Sequence, residues 1–142
     1  MSSVKEAFDT VLSKEYGIYK EPKRLPALEV IEFLRSIGAV PILAHPYLKD
    51  RTNEFVFAHM LPTFLPEAVR HGLCAMETRY STYDAETEEK ASAMAARFGI
   101  LSSGGSDFHG GRKPDISLGT GHGSLAVPVE FLEALEQKRG GA

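Results

Sequence analysis

The chain has one cysteine among its 142 residues. Cys74 therefore lacks an intrachain disulfide partner and a second thiol for a zinc site, and reads as a small core residue. No apolar run approaches the roughly 20 residues of a membrane span, and the polar start Met1-Ser2-Ser3-Val4-Lys5-Glu6 is unlike a signal peptide. A cytoplasmic location without membrane partners is the resulting expectation. An excess of charge of one sign is missing too, since 16 basic and 19 acidic residues leave a formal charge of -3. That excludes a general affinity for nucleic acid, so any phosphate recognition must be local. Internal repeats, low-complexity tracts and long linkers are also absent. With 43% hydrophobic and 25% charged residues, residues 1–142 read as one globular domain with a substantial core.

What is present is an alternation of helical and extended patterns. Apolar residues at 4, 7, 8, 11 and 12 give one helical face over Val4 to Lys14, broken by Tyr16-Gly17 to Pro22. A stronger helix is predicted from Leu25 to Ile37, with Pro26 near its start, a stripe of Leu28, Ile31 and Leu34, and Gly38 as its stop. Ala39 to Ala44 reads as a short strand running into His45-Pro46. The stretch from Asn53 to His71 is mostly helical, with Pro62 and Pro66 expected to split it. Leu73 to Met76 reads as a second strand leading into Glu77-Thr78-Arg79-Tyr80, Asp84 to Phe98 as a helix, and Ile100 to Ser103 as a third strand. Ser124 to Val127 is a candidate fourth strand, and Pro128 to Lys138 a closing helix with proline at its start. This order predicts an α/β fold with three or four parallel strands and flanking helices. A closed eight-unit barrel takes about 250 residues and seldom fewer than about 200, so the pattern suits part of a barrel or an open sheet.

Polar residues recur where strands end. His45 follows the first, Glu77 the second, and Asp107 and His109 the third, within Gly104-Gly105-Ser106-Asp107-Phe108-His109. In a parallel sheet those ends share one edge, so residues far apart in sequence meet there. A mixed imidazole and carboxylate set suits zinc, manganese or iron better than calcium. Alternation along an extended loop is expected to turn Asp107 and His109 the same way and Phe108 inward to packing. Any one of these residues alone reads more readily as a loop or helix cap than as a metal ligand, and their joint placement reverses that balance. Glu77 is open to three roles: metal ligand, partner orienting an imidazole, or general base. Arg79 either presents its guanidinium to a substrate phosphate, pairs with Glu77 or lies in solvent. Arg112 and Lys113 are placed near the same anion or form a solvated charge pair. His122, in Gly119-Thr120-Gly121-His122-Gly123, is either a histidine brought over the site or a turn residue. His59 and His71 read as structural or exposed. Ser106 lacks a Gly-x-Ser-x-Gly elbow and is expected to hydrogen-bond its own loop.

Ala44-His45-Pro46, Gly72-Leu73 with Met76-Glu77, and Gly105-Ser106-Asp107-Phe108-His109 together resemble, in order, the PHP (polymerase and histidinol phosphatase) family of metal-dependent phosphoesterases. Glu6-Ala7-Phe8, Ile31 to Pro46, and Leu118-Gly119 to Pro128 extend the resemblance over most of the chain. It implies part, about half, of a distorted β/α barrel, with His45, Asp107 and His109 on metal-ligand positions and Glu77 on a motif glutamate. It also implies hydrolysis of phosphate esters with divalent metals. The style of the motifs resembles the group acting on small nucleotide or oligonucleotide phosphates more than the one acting on histidinol phosphate.

The departure from the family is as informative. Its members open with His-x-His and Thr-Asp-His-type motifs that supply most of the ligands. Here the five histidines stand at 45, 59, 71, 109 and 122, and no two are separated by one residue. The resemblance therefore covers the carboxyl-terminal portion of the domain and implies an incomplete metal site, manganese, zinc or iron at reduced occupancy, and weak or no activity in the isolated chain. A second copy or a separate amino-terminal half is the expected complement, since an opened barrel exposes strand edges and apolar faces. The competing expectation is a non-catalytic PHP-like module for folding, assembly or protein interaction.

Overall fold

The computed structural model describes Glu6, Thr10 and residues 23–50 and 52–139. The helix expected over Val4 to Lys14, and the break after it, lie almost wholly outside these residues. Elsewhere the order is α1 (Ala27–Ser36), β1 (Ile42–Leu43), a 3-10 turn (Ala58–Met60), α2 (Leu61–Arg70), β2 (Ala75–Tyr80), α3 (Ala85–Arg97), β3 (Leu101–Gly105), a second 3-10 turn (Gly110–Arg112) and α4 (Val129–Lys138).

One junction recurs three times. Each of α1, α2 and α3 ends in a glycine with positive φ: Gly38 (76°), Gly72 (105°) and Gly99 (66°). In each case the residue after the glycine donates its N–H five residues back: Ala39 to Leu34 O, Leu73 to Ala68 O, and Ile100 to Ala95 O. This left-handed cap satisfies the last helical carbonyls and turns the chain back toward the sheet. Leu73 and Ile100, directly after the cap, are buried. The strands that follow pair in parallel in the order β1-β2-β3. Ile42 aligns with Ala75 and Ala75 with Leu101, while Leu43 aligns with Met76 and Met76 with Ser102.

The core lies between this sheet and α1 to α3. Ile31, Leu61, Leu65, Ala68, Met76, Ala91 and Ala95 form one buried cluster, with Leu28, Leu43 and Phe64 packed against it. The small residues Ala91 and Ala95 let α3 approach β2 and β3 closely. Its start is fixed by Asp84, whose carboxylate accepts the Thr87 N–H at 2.8 Å, with Glu86 and Glu88 in the first turn; both features favour a helix N-terminus.

Four expectations need correction. Pro62 and Pro66 do not split the segment, because Pro62 falls in the first turn of α2 and Pro66 lies inside the helix. First-turn donors have no helical partner to lose, and the single bond forfeited at Pro66 is offset by burying Leu61, Leu65 and Ala68 completely. β1 is shorter than Ala39 to Ala44, with two residues. β2 and β3 run further than expected, to Tyr80 and Gly105, so Glu77 lies within β2 and Gly104 and Gly105 within β3. Ser124 to Val127 forms no strand; Val127 instead fills the space over Gly104, where an added Cβ would meet its Cγ2 at 2.8 Å. Among the described residues, no helix is long and apolar enough to cross a membrane.

Candidate functional site

The carboxyl edge of the sheet gathers His45, Glu77, Tyr80, Asp107, His109 and Lys113. His45 leaves β1 with φ of 32°, and the chain turns at once, Leu48 N–H donating to His45 O at 3.0 Å. The His45 backbone N–H donates to Glu77 Oε2 at 2.6 Å, and its ring lies 5.4 Å from that of Tyr80. Glu77 thus ties the end of β1 to the middle of β2. Its other oxygen lies over Gly105, where a Cβ would stand 2.7 Å from Oε1. Burial pushes the Glu77 carboxyl above its ordinary range; the His45 N–H and the His45 charge oppose this, and the Asp107 charge adds to it.

Asp107 has φ of 56°, a left-handed conformation that polar residues such as Asp tolerate best after glycine. Its Oδ2 accepts from the Tyr80 hydroxyl at 2.8 Å and from the Lys113 ammonium. Burial alone would raise the Asp107 carboxyl; these two donors, with the charges of Lys113 and His109, bring it below its ordinary value. Tyr80 is pushed well up, first by burial and then by its bond to Asp107 and the nearby carboxylates.

The His109 Nδ1 is 2.6 Å from the Asp107 carbonyl oxygen and 3.6 Å from Oδ1. A carbonyl only accepts, so Nδ1 carries the proton and the Nε2 lone pair is left open to a ligand. Ser106 holds the loop as expected: its carbonyl accepts from Ser81 Oγ at 2.6 Å, and its Oγ accepts from Gly119 N–H at 3.3 Å. Phe108, however, is 46% exposed instead of packed inward, because the left-handed turn at Asp107 breaks the alternation of an extended loop.

The remaining candidates have other partners or are exposed. Arg79 faces α3, with Nε 3.4 Å from Glu88 Oε2 and Nη1 3.3 Å from Ser92 Oγ. Arg112 is exposed, and it is the next residue, Lys113, that reaches Asp107. His122 lies 3.8 Å from Asp115 Oδ2, in the loop before α4. His71 pairs with Glu32 at 2.7 Å, and His59 is exposed. Cys74 is half-buried. An apolar cleft of about 390 Å³ under α4, lined by Ile42, Val127, Val129 and Leu132 among others, includes none of the candidate residues.

Tyr80 was not a candidate from sequence. Strict alternation puts Glu77 and Arg79 on one face of β2 and Tyr80 on the other, but the pairing with β3 is irregular between Glu77 and Arg79. That bulge sends Arg79 to the helical side and returns Tyr80 to the site, and a single sequence carries no sign of it.

The donor chemistry fits a divalent ion, whereas the number of donors does not. Among the described residues, no group of three or more His, Cys, Asp or Glu side chains stands close enough to hold one. Asp107 and His109 form a pair, with His45 across the edge.

No protein-family model and no curated protein matches the chain. Solved structures do. A Bifidobacterium adolescentis protein assigned as a metal-dependent phosphoesterase superposes with a TM-score of 0.71 at 23% identity, over 98% of this chain and 46% of that one. An amidohydrolase from Chromobacterium violaceum, solved with bound sulfate and no metal, gives 0.63 at 19% identity, over 97% and 46%. Likeness at these identities establishes the fold: a partial α/β architecture, three parallel strands with flanking helices, spanning less than half the length of either protein.

Proposed function

We propose that this chain is the carboxyl-terminal part of a PHP-type metal-dependent phosphoesterase and contributes His45, Asp107 and His109 as ligands to a centre that other residues complete. The observation that carries this reading is the shared edge. Parallel pairing brings the ends of β1, β2 and β3 together, and Glu77, Asp107 and Tyr80 cross-link them by hydrogen bonds. Motif order and a fold match over nearly the whole chain support it. Divalent ions supply Lewis acidity in hydrolysis of this class. The chain's own contribution is an ionised carboxylate at Asp107, an imidazole at His109 with Nε2 open, and at Glu77 a carboxyl that keeps a proton more readily than usual. In this reading Asp107 serves as ligand, and Glu77, bonded to the His45 N–H, holds the end of β1 beside it. The substrate class is a small nucleotide or oligonucleotide phosphate ester; Arg112, exposed next to Lys113, is left to meet its anion, since Arg79 is held by Glu88 and Ser92.

The test is Mn²⁺ binding by the full chain, followed by calorimetry, with Asp107→Ala and His109→Ala beside wild type. Weak binding that both substitutions abolish is expected, with little hydrolysis of a nitrophenyl phosphodiester by the chain alone. Binding that neither substitution changes would remove the reading. A second reading, a folded module without catalysis, is favoured by the lack of a three-donor group among the described residues; it predicts no Mn²⁺ binding at all.

A further inference from the structure

Phe108 and Gly111 are two residues that packing within this chain does not account for. Phe108 is 46% exposed, although the loop that carries it is held in place: Ser81 and Gly119 bond to Ser106, and Tyr80 and Lys113 bond to Asp107. A large aromatic ring is thus presented to solvent on a fixed backbone. Gly110 has φ of 59°, which explains glycine there, but Gly111 does not use positive φ. An added Cβ at Gly111 would meet nothing within 4 Å, so neither conformation nor packing calls for glycine. Such a position leaves bare backbone for a ligand to approach closely.

Arg112 completes the stretch. It is exposed and forms no ion pair among the described residues, whereas Lys113 is engaged by Asp107. The Arg112 N–H donates to His109 O at 3.3 Å. A turn closed by that bond, with one further residue, puts the Cα atoms of Phe108 and Arg112 at most roughly 11 Å apart. Ring, open backbone and guanidinium therefore follow one another within the span of a small ligand. Their chemistry matches the three parts of a nucleotide: a base with a π face to stack, a sugar that lies close, and a phosphate that takes the planar fork of arginine.

We propose that the loop from Phe108 to Arg112 is a nucleotide-binding subsite, in which the Phe108 ring stacks on the base, the sugar lies over Gly111 and the Arg112 guanidinium holds the phosphate. The subsite deepens the phosphoesterase reading and rests on it for the ester class. Its new content is selection: Phe108 favours nucleotides over phosphate esters that lack a base. No metal ion enters the contact set.

The experiment is titration of the ¹⁵N-labelled full chain, with EDTA present, by adenosine monophosphate and by ribose 5-phosphate, followed through backbone amide shifts. Circular dichroism establishes that each variant is folded. Wild type should show shifts centred on residues 108–112 and bind the nucleotide about tenfold more tightly than the sugar phosphate, the worth of one base on one exposed ring. Phe108→Ala and Phe108→Leu should erase that ratio while leaving affinity for ribose 5-phosphate unchanged, and Phe108→Tyr should keep it. A merely structural role for Phe108 would move both ligands together. Arg112→Gln should weaken both alike, and Gly111→Ala should weaken nucleotide binding without lowering the Tm. A wild-type ratio near one, a ratio that survives Phe108→Ala, shifts centred elsewhere, or no binding of either ligand at millimolar concentration overturns the subsite and leaves the phosphoesterase reading to its Mn²⁺ test. Selective nucleotide binding in a chain whose Mn²⁺ binding ignores Asp107→Ala and His109→Ala would instead remove that reading and leave the subsite standing.

Discussion

Replacing Gly105 with alanine tests whether the edge of the sheet is built around the Glu77 carboxylate. Gly105 does not use positive φ, so its backbone accepts alanine, and the new methyl would stand 2.7 Å from Glu77 Oε1. Relief requires one of them to move by roughly half an ångström or more. The carboxylate is the softer partner, yet its other oxygen holds the His45 N–H at 2.6 Å. A bond to a charged group contributes about 1.5–3 kcal/mol when lost entirely, and a glycine-to-alanine change returns about 0.4–1 kcal/mol by restricting the unfolded chain. With the bond weakened and not abolished, the net destabilisation is about 1 kcal/mol, a fall in Tm of roughly 3–6 °C for a domain of this size. Thermal unfolding by circular dichroism reads it directly. Gly111→Ala, which meets nothing within 4 Å, should be neutral or stabilising. In a Glu77→Ala background the Gly105→Ala loss should disappear, because its cause is gone. An equal loss in both backgrounds would refute the reasoning and place the strain elsewhere.

Two further outcomes follow from the structure. Leu65, fully buried in α2, is expected to cost about 2–5 kcal/mol when cut to alanine, measured by urea unfolding; a loss near zero would mean that α2 is not part of the core. Glu77→Gln tests pH dependence. Because the folded-state value of Glu77 is raised, its contribution to stability is fully present below the unfolded value of about 4.3 and is lost as pH rises through the folded value. Glutamine never ionises and still offers the His45 N–H an oxygen, so Glu77→Gln should gain on wild type between pH 4 and pH 7. The urea midpoints at those two pH values decide it, and an identical difference at both would show that burial of the charge is not what strains Glu77.

Much of the helical frame was legible because its signals are local. The Gly38, Gly72 and Gly99 stops, the helix start at Asp84 and the Leu28-Ile31-Leu34 stripe are each set by a few neighbouring residues. The parallel α/β class follows from their alternation, and with it the gathering of His45, Glu77 and Asp107 on one edge. The misses are non-local. The extent of β2 depends on two glycines in another strand that admit Arg79 and Glu77 opposite them, and Tyr80 enters the site only through the bulge. Pro66 remains helical because Leu65 and Ala68 beside it are buried. Phe108 faces outward through a backbone angle at Asp107 that extended-loop alternation does not anticipate. Lys113 was legible only as a charge near Arg112; its bond to Asp107 comes from the 3-10 turn at Gly110–Arg112.

The same division explains how a chain spanning 46% of each structural neighbour still has a well-packed core. Each α/β unit here buries its own helix against its own strands through the recurring glycine junction, so Leu61, Leu65 and Met76 reach full burial within this chain. Core formation is a property of the individual unit. A site at strand ends is instead a property of how many ends converge, and its donors accumulate one strand at a time. A segment of such a fold can thus bury a core of its own while its strand-end chemistry stays partial: the Asp107 loop is tied down by Ser81, Tyr80 and Lys113, and among the described residues no group of three or more His, Cys, Asp or Glu side chains gathers there.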